Sequence, residues 1–143
     1  MIKILVLNGP NLNFLGIREP SVYGSDTLEK INEYIYKYAT DRGVECYFFQ
    51  SNCEGELIDA IQSVYYDFDG CILNAGAYTH YSYAIRDAIA SIGKPVIEVH
   101  MSDIYKREDF RHVSVIKDVC SESIIGLGKD SYTKAIDAIK KYI

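Results

Sequence analysis

The sequence predicts an α/β fold: a doubly wound, five-stranded parallel sheet with helices on both faces. Two observations carry that expectation. Five short apolar runs alternate with amphipathic stretches of helical period. Most of the runs are rich in β-branched residues and lack clean apolar–polar alternation, as strands covered on both sides do. The chain also has 143 residues, 48% of them apolar, which is enough for the core of one domain spanning residues 1–143.

Ile2–Leu7 is the first predicted strand. Next come residues 8–24, "NGPNLNFLGIREPSVYG", far longer than the few residues a plain connection needs. Leu28, Ile31, Ile35 and Tyr38 share one helical stripe. Asp26 or Thr27 can cap that helix, with Glu29 completing a capping box if Asp26 is the cap, and Gly43 can end it. Val44–Gln50 is the second strand, and Leu57, Ile58, Ile61 and Val64 form the next stripe. Cys71–Asn74 is the third strand, followed by a stripe of Ile85, Ala88, Ile89 and Ile92 that Gly93 and Pro95 can end. Val96–His100 and Val119–Leu127 are the remaining strands, and Ala135, Ile136, Ile139 and Tyr142 mark the last helix. Such strand–helix alternation closes through right-handed crossovers.

Composition narrows the classes of function. A net charge of −5, from 15 basic and 20 acidic residues, argues against a nucleic-acid backbone as main partner. It leaves room for a small anion held by a local arginine cluster. No apolar stretch approaches the ~18 residues of a membrane span. The start, "MIKILVLNG", is too short in apolar residues for a signal-peptide core, so a cytoplasmic protein is expected. Cys46, Cys53, Cys71 and Cys120 form no C-x-x-C pair and read as reduced core or near-core thiols; Cys53, in the turn "QSNCEGE", is the one that stands apart.

In doubly wound folds ligands bind outside the carboxyl ends of the strands. Asn8 and the long loop with Arg18 and Tyr23 follow strand 1, "QSN" ends strand 2, and Asn74 with "AGAYTH" follows strand 3. "EVH" and "MSDIYKREDFRH" follow strand 4, so His80, His100 and His112 all gather on this rim. Glu98 and His100 are two apart on a strand and share a face. The carboxylate can accept from one imidazole nitrogen, fix the tautomer and favour imidazolium, making the other nitrogen a general acid; a buried pair without chemistry fits the spacing as well. Tyr23 lies in a polar, glycine-flanked loop five residues after Arg18. A phenol near pKa 10 needs such a permanent cation beside it to serve as a base near neutrality. Arg107 and Arg111 are placed to join the rim or to be solvated surface charge. Asn8, Asn11 and Asn13 are good turn formers, whereas Asn74, at a strand end, can hold a water or a hydroxyl.

The stretches "LNGPNLNFLGIREPSVYG", "QSNCEGELID", "NAGAYTHYSYAIRDA", "PVIEVHMSDIYKREDFRH" and "IIGLG" occur in an order that resembles the type II 3-dehydroquinate dehydratases, or type II dehydroquinases, of the shikimate pathway. The resemblance covers essentially the whole chain. It implies a flavodoxin-like fold and reversible conversion of 3-dehydroquinate to 3-dehydroshikimate, with no metal, cofactor or Schiff base. It implies that Tyr23 is the base, that Arg18 lowers its pKa and steadies an enolate, and that His100, oriented by Glu98, is the acid. Asn11 and Asn74 match residues that hold a water at the enolate oxygen, and His80 and Arg111 match binders of ring hydroxyls. The amides of Met101 and Ser102 match a carboxylate pocket, Arg107 is similar to an arginine near the site, and Asp87 matches a residue reaching in from a neighbouring subunit of a homo-oligomer, a dodecamer of trimers. On this reading residues 8–24 are a lid hinged at Gly9, Gly16 and Gly24 and restrained by Pro10 and Pro20. Three positions depart from the family pattern: Cys53 stands where histidine is frequent, Ala75 where proline is, and Tyr81 where a smaller polar residue is. Tyr81 is expected to narrow the pocket or alter a subunit contact. The competing reading, a flavin- or phosphate-binding flavodoxin-like module, lacks a Ser/Thr-rich loop after strand 1, where "NGPNLN" instead carries Pro10.

Overall fold

The computed structural model describes residues 1–17 and 19–143 and, for Tyr23, the backbone; Arg18 lies outside the described residues. Five strands form one parallel sheet in the order β2-β1-β3-β4-β5: β1 (Ile2–Asn8), β2 (Val44–Gln50), β3 (Gly70–Asn74), β4 (Val96–His100) and β5 (Glu122–Ile125). The helices are α1 (Pro20–Tyr23), α2 (Leu28–Thr40), α3 (Glu54–Asp67), α4 (Tyr83–Ile92) and α5 (Asp130–Ile139). The chain runs outward from β1 to β2 and then returns to β3 on the other side of β1. The carboxyl ends of β1 and β3 therefore flank the switch in strand order where such sheets open a crevice.

The period of two along the strands divides the core in half. Ile4, Val6, Ile72, Ile97 and Val99 face α2 and α5, where Ile31, Ile35, Ala135, Ile136 and Ile139 are buried. Leu5, Leu7, Cys71, Leu73 and Val96 face α3 and α4, against Leu57, Ile61, Val64, Ile85, Ala88, Ile89 and Ile92. Each such fully buried aliphatic side chain contributes roughly 1.5–3 kcal/mol. Burial leaves Cys46 and Cys71 with thiol pKa values pushed up to about 12, as expected of packed thiols.

Several boundaries differ from expectation. The last strand is four residues long rather than nine: Lys117–Val119 is a 3₁₀ turn, and Gly126, at φ 80°, ends pairing with β4. β2 is an edge strand, so Tyr47 and Phe49 are exposed instead of covered. Thr27 caps α2, its hydroxyl accepting from the Lys30 amide at 3.2 Å, which puts Glu29 too early in the helix for a capping box. Gly93 ends α4 in the left-handed conformation as predicted. Tyr142 falls in a terminal 3₁₀ turn beyond α5 and is exposed.

Candidate active site

The floor of the site is built where the exits of β1 and β3 pack back to back. The Gly9 amide donates to the Asn74 carbonyl at 2.8 Å, and a Cβ on Gly9 would sit 2.5 Å from the Ala75 carbonyl oxygen. Gly76, at φ 59°, makes a similar approach to Pro10, whose carbonyl oxygen lies 3.1 Å from where a Cβ would be. Gly9 is therefore a close-packing glycine and not a hinge. Ala75, where proline is frequent, sits at φ −78°, a value proline also holds, so this backbone angle suits either residue.

Asn11, Asn74, His80, His100, Met101, Ser102, Arg107 and Arg111 border one cavity of about 130 Å³ above this floor. These are the rim residues the sequence pointed to, brought together from the exits of β1, β3 and β4. Asn11 takes φ 68°, a conformation asparagine tolerates, and its amide donates to Asn52 Oδ1 at 3.0 Å.

Glu98 and His100 form a buried pair, with His100 Nε2 2.7 Å from Glu98 Oε2. The hydroxyls of Ser114 and Ser123 donate to Oε2 and Oε1, each at 2.6 Å. Burial alone would push the Glu98 pKa up, but the three donors outweigh it and hold the carboxyl below its ordinary value. An ionised Glu98 keeps the Nε2–H tautomer of His100 and leaves Nδ1 as the nitrogen without a protein partner among the described residues.

His80 donates from Nδ1 to the Val113 carbonyl at 2.7 Å. Burial pushes its pKa down, and neighbouring His100 and Arg111 act in the same direction, against the Val113 hydrogen bond. Its Nε2 is then an acceptor. Arg111 stacks over Phe110, 4.8 Å from guanidinium carbon to ring centre, and is held at 3.2 Å by Glu108. Arg107 is also well buried and lies 3.9 Å from both Glu19 and Glu108.

Asn74 is fixed from two sides: its Oδ1 accepts the Gly76 amide at 3.2 Å, and its Nδ2 donates to the Tyr132 hydroxyl at 3.0 Å. That hydroxyl in turn donates to Asn8 Oδ1 at 2.5 Å, and full burial pushes its pKa upward. Tyr132, Ser114 and Ser123 support the site without having been singled out in the sequence. Tyr132 did leave a trace, as a polar-tipped residue on the stripe of Ala135, Ile136 and Ile139. Ser123 lies beside Glu98 in the β4–β5 register, whereas nothing local marks Ser114.

The connection from β1 to α2 is anchored over its first half, where Leu12 and Leu15 are buried in the α2 side of the core. Gly16 follows with a positive φ. There φ is 85° and a Cβ would lie 3.1 Å from the Ser25 carbonyl oxygen, so Gly16 and Ser25 approach closely. Gly24 has φ 86°. Val22 and Gly24 line a cleft of about 510 Å³ that shares Met101, Ser102 and Arg107 with the smaller cavity. Tyr23 ends α1 between those two residues, while Arg18 lies outside the described residues.

Asp87 is exposed on α4 and does not border the cavity of its own subunit. Cys53 is exposed ahead of α3. Tyr81 is 60% exposed, leans on Tyr78 and does not narrow the cavity, so of the two effects expected of it only a subunit contact is left open.

Fold and rim together define a flavodoxin-like α/β protein with a buried carboxylate–imidazole pair on β4, whose His100 borders the cavity at the carboxyl ends of the strands. The chain belongs to the family described as Dehydroquinase class II, which it matches over residues 2–140. It is 57% identical over 139 residues to the 3-dehydroquinate dehydratase of Lachnoclostridium phytofermentans, covering 96% of each chain. It is 53% identical over 142 residues to that of Carboxydothermus hydrogenoformans, covering 99% of this chain and 92% of the other. The crystal structure of a type II dehydroquinase from Butyrivibrio crossotus superposes with a TM-score of 0.96 at 50% identity, over 97% of each chain.

Proposed function

We propose that residues 1–143 form a single catalytic domain, a hydro-lyase that interconverts 3-dehydroquinate and 3-dehydroshikimate through an enolate, without metal or imine. The observation that carries this is the triply bonded Glu98 beneath His100, which opens on a cavity shared with His80, Asn74 and Arg111, in a chain of this family.

The proton beside the ring ketone is weakly acidic. Tyr23, ionised by the nearby Arg18 guanidinium when the lid closes, takes it, and the electron pair moves into an enolate. A water held by Asn11 and Asn74 stabilises the oxygen as charge develops, a role that pays off only if the dipoles are already fixed. The enolate then collapses and the β-hydroxyl leaves with the Nδ1 proton of His100 in its doubly protonated form, so that water and the conjugated enone are formed and the ring is left as the neutral Nε2–H tautomer. Glu98 keeps Nε2–H and hence the ring orientation. His80 and Arg111 bind ring hydroxyls, with Arg107 close by. The Met101 and Ser102 amides take the carboxylate, and Asp87 of a neighbouring copy completes the pocket in a homo-oligomer, with a dodecamer of trimers as the expected assembly.

The test follows the enone absorbance after 3-dehydroquinate is added. Turnover should persist after borohydride treatment, and Arg18→Ala, Tyr23→Phe and His100→Asn should each lower kcat by about 10²–10⁴-fold with a smaller change in KM. Wild-type turnover in Tyr23→Phe would remove the base from its role, and borohydride inactivation would replace the mechanism.

A further inference from the structure

The "IIGLG" run at residues 124–128 has no part in the chemistry above, yet its backbone grips the segment that follows β4. The Gly126 amide is shared between the carbonyls of His100, at 3.2 Å, and Ser102, at 3.1 Å. The Gly128 amide donates to the Met101 carbonyl at 3.0 Å. Three successive carbonyls thus face the 126–128 loop. An extended chain would alternate them; here the chain bends at Met101 and Ser102, which keeps them on one side.

In a trans peptide the carbonyl and the following N–H point in opposite directions. With the His100 and Met101 carbonyls turned to the loop, the Met101 and Ser102 N–H groups point away from β5. On that side β3 no longer runs alongside: its last residue in register with β4 is Leu73, opposite Glu98, and the chain has turned into Gly76–His80. The space there is the cavity that Met101 and Ser102 border with Asn74 and His100. Neither N–H has a protein acceptor among the described residues. Two successive N–H groups directed to one side form a nest for an anion.

We propose that Gly126 and Gly128 are positioning residues, whose amides aim the Met101 and Ser102 N–H groups at the substrate carboxylate; this rests on the dehydratase reading. Both glycines have positive φ, 80° and 60°, which L side chains rarely adopt. A Cβ on Gly128 would meet nothing within 4 Å, so a substitution there acts through the backbone and not by collision.

The experiment compares inhibition by quinate, a saturated ring carboxylate, with inhibition by its carboxamide. It uses wild type, Gly128→Val, Gly128→Ala and Gly128→Asn, with the melting temperature recorded for each. The wild type should prefer the acid. The preference should shrink by at least about tenfold in Gly128→Val and by less in Gly128→Ala. Gly128→Asn, which tolerates left-handed φ, should retain it. KM for 3-dehydroquinate should rise more than kcat falls. An unchanged acid-to-amide ratio in folded Gly128→Val overturns the proposal while leaving the dehydratase reading intact. If Gly128→Val does not fold, the same ratio in Gly128→Ala decides. A wild type that neither turns over 3-dehydroquinate nor distinguishes acid from amide overturns the underlying reading instead.

Discussion

One hydroxyl, that of Tyr132, joins Asn8 at the end of β1 to Asn74 at the end of β3 from its place on α5. Removing it leaves an amide oxygen and an amide N–H without partners in a fully buried setting, and such losses cost about 1–3 kcal/mol. Tyr132→Phe should therefore lower the urea midpoint by a corresponding amount. It should also reduce kcat more than it raises KM, because Asn74 loses its fixed orientation while the ring-hydroxyl contacts remain; a variant with altered stability but unchanged kcat would confine Tyr132 to a packing role. Individual chemical groups were legible in the sequence where residue type and spacing coincide, as in Glu98 and His100, two apart on a strand. Tyr132 was hidden because its partners lie more than fifty residues away and a helical stripe reports burial without reporting what the polar tip meets.

At the level of elements, the β1 exit shows how a glycine can be read in the wrong role. Gly9 invited a hinge because it opens a glycine-rich loop, yet it is the point at which two strand exits touch. Gly9→Ala forces its methyl to 2.5 Å from a backbone oxygen, and the resulting shift should cost about 1–3 kcal/mol and loosen the floor beneath Asn74. Thr27→Ala, by contrast, removes one capping hydrogen bond and should cost about 1 kcal/mol with little effect on turnover. Denaturant midpoints and kcat measured on both variants separate the two: equal kcat losses would mean that the start of α2 and the site floor are mechanically one unit. Strand and helix identity were legible because short apolar runs and helical stripes are local properties, and the central strands β1, β3 and β4 are buried over nearly their whole length. The ends were less so. The predicted last strand ran to Leu127 because apolar residues continue past Ile125, and only the positive φ of Gly126, a tertiary outcome, stops it.

Across the whole molecule, two buried or half-buried groups give stability a common pH sense. The folded pKa of Glu98 lies below its ordinary 4.5 and that of His80 below its ordinary 6.5. Between folded and unfolded values the unfolded chain binds more protons, so stability increases with pH across both intervals and is lost on acidification. The His80 contribution should be lost first, just below pH 6.5, and the Glu98 contribution below pH 4.5. His80→Asn should flatten the upper interval and Glu98→Gln the lower one in denaturation midpoints recorded against pH; an unchanged acid limb in Glu98→Gln would remove Glu98 as its source. Assembly adds a final demand. Asp87 is exposed and does not border the cavity of its own chain, so a role in binding requires a second copy. Asp87→Asn and His100→Asn should each be nearly inactive alone. Unfolded together and refolded in equal amounts, they should regain up to about a quarter of wild-type turnover, because that share of sites pairs an intact His100 with an intact neighbouring Asp87. Recovery fails if each subunit works with its own Asp87, since no chain in the mixture then carries both residues.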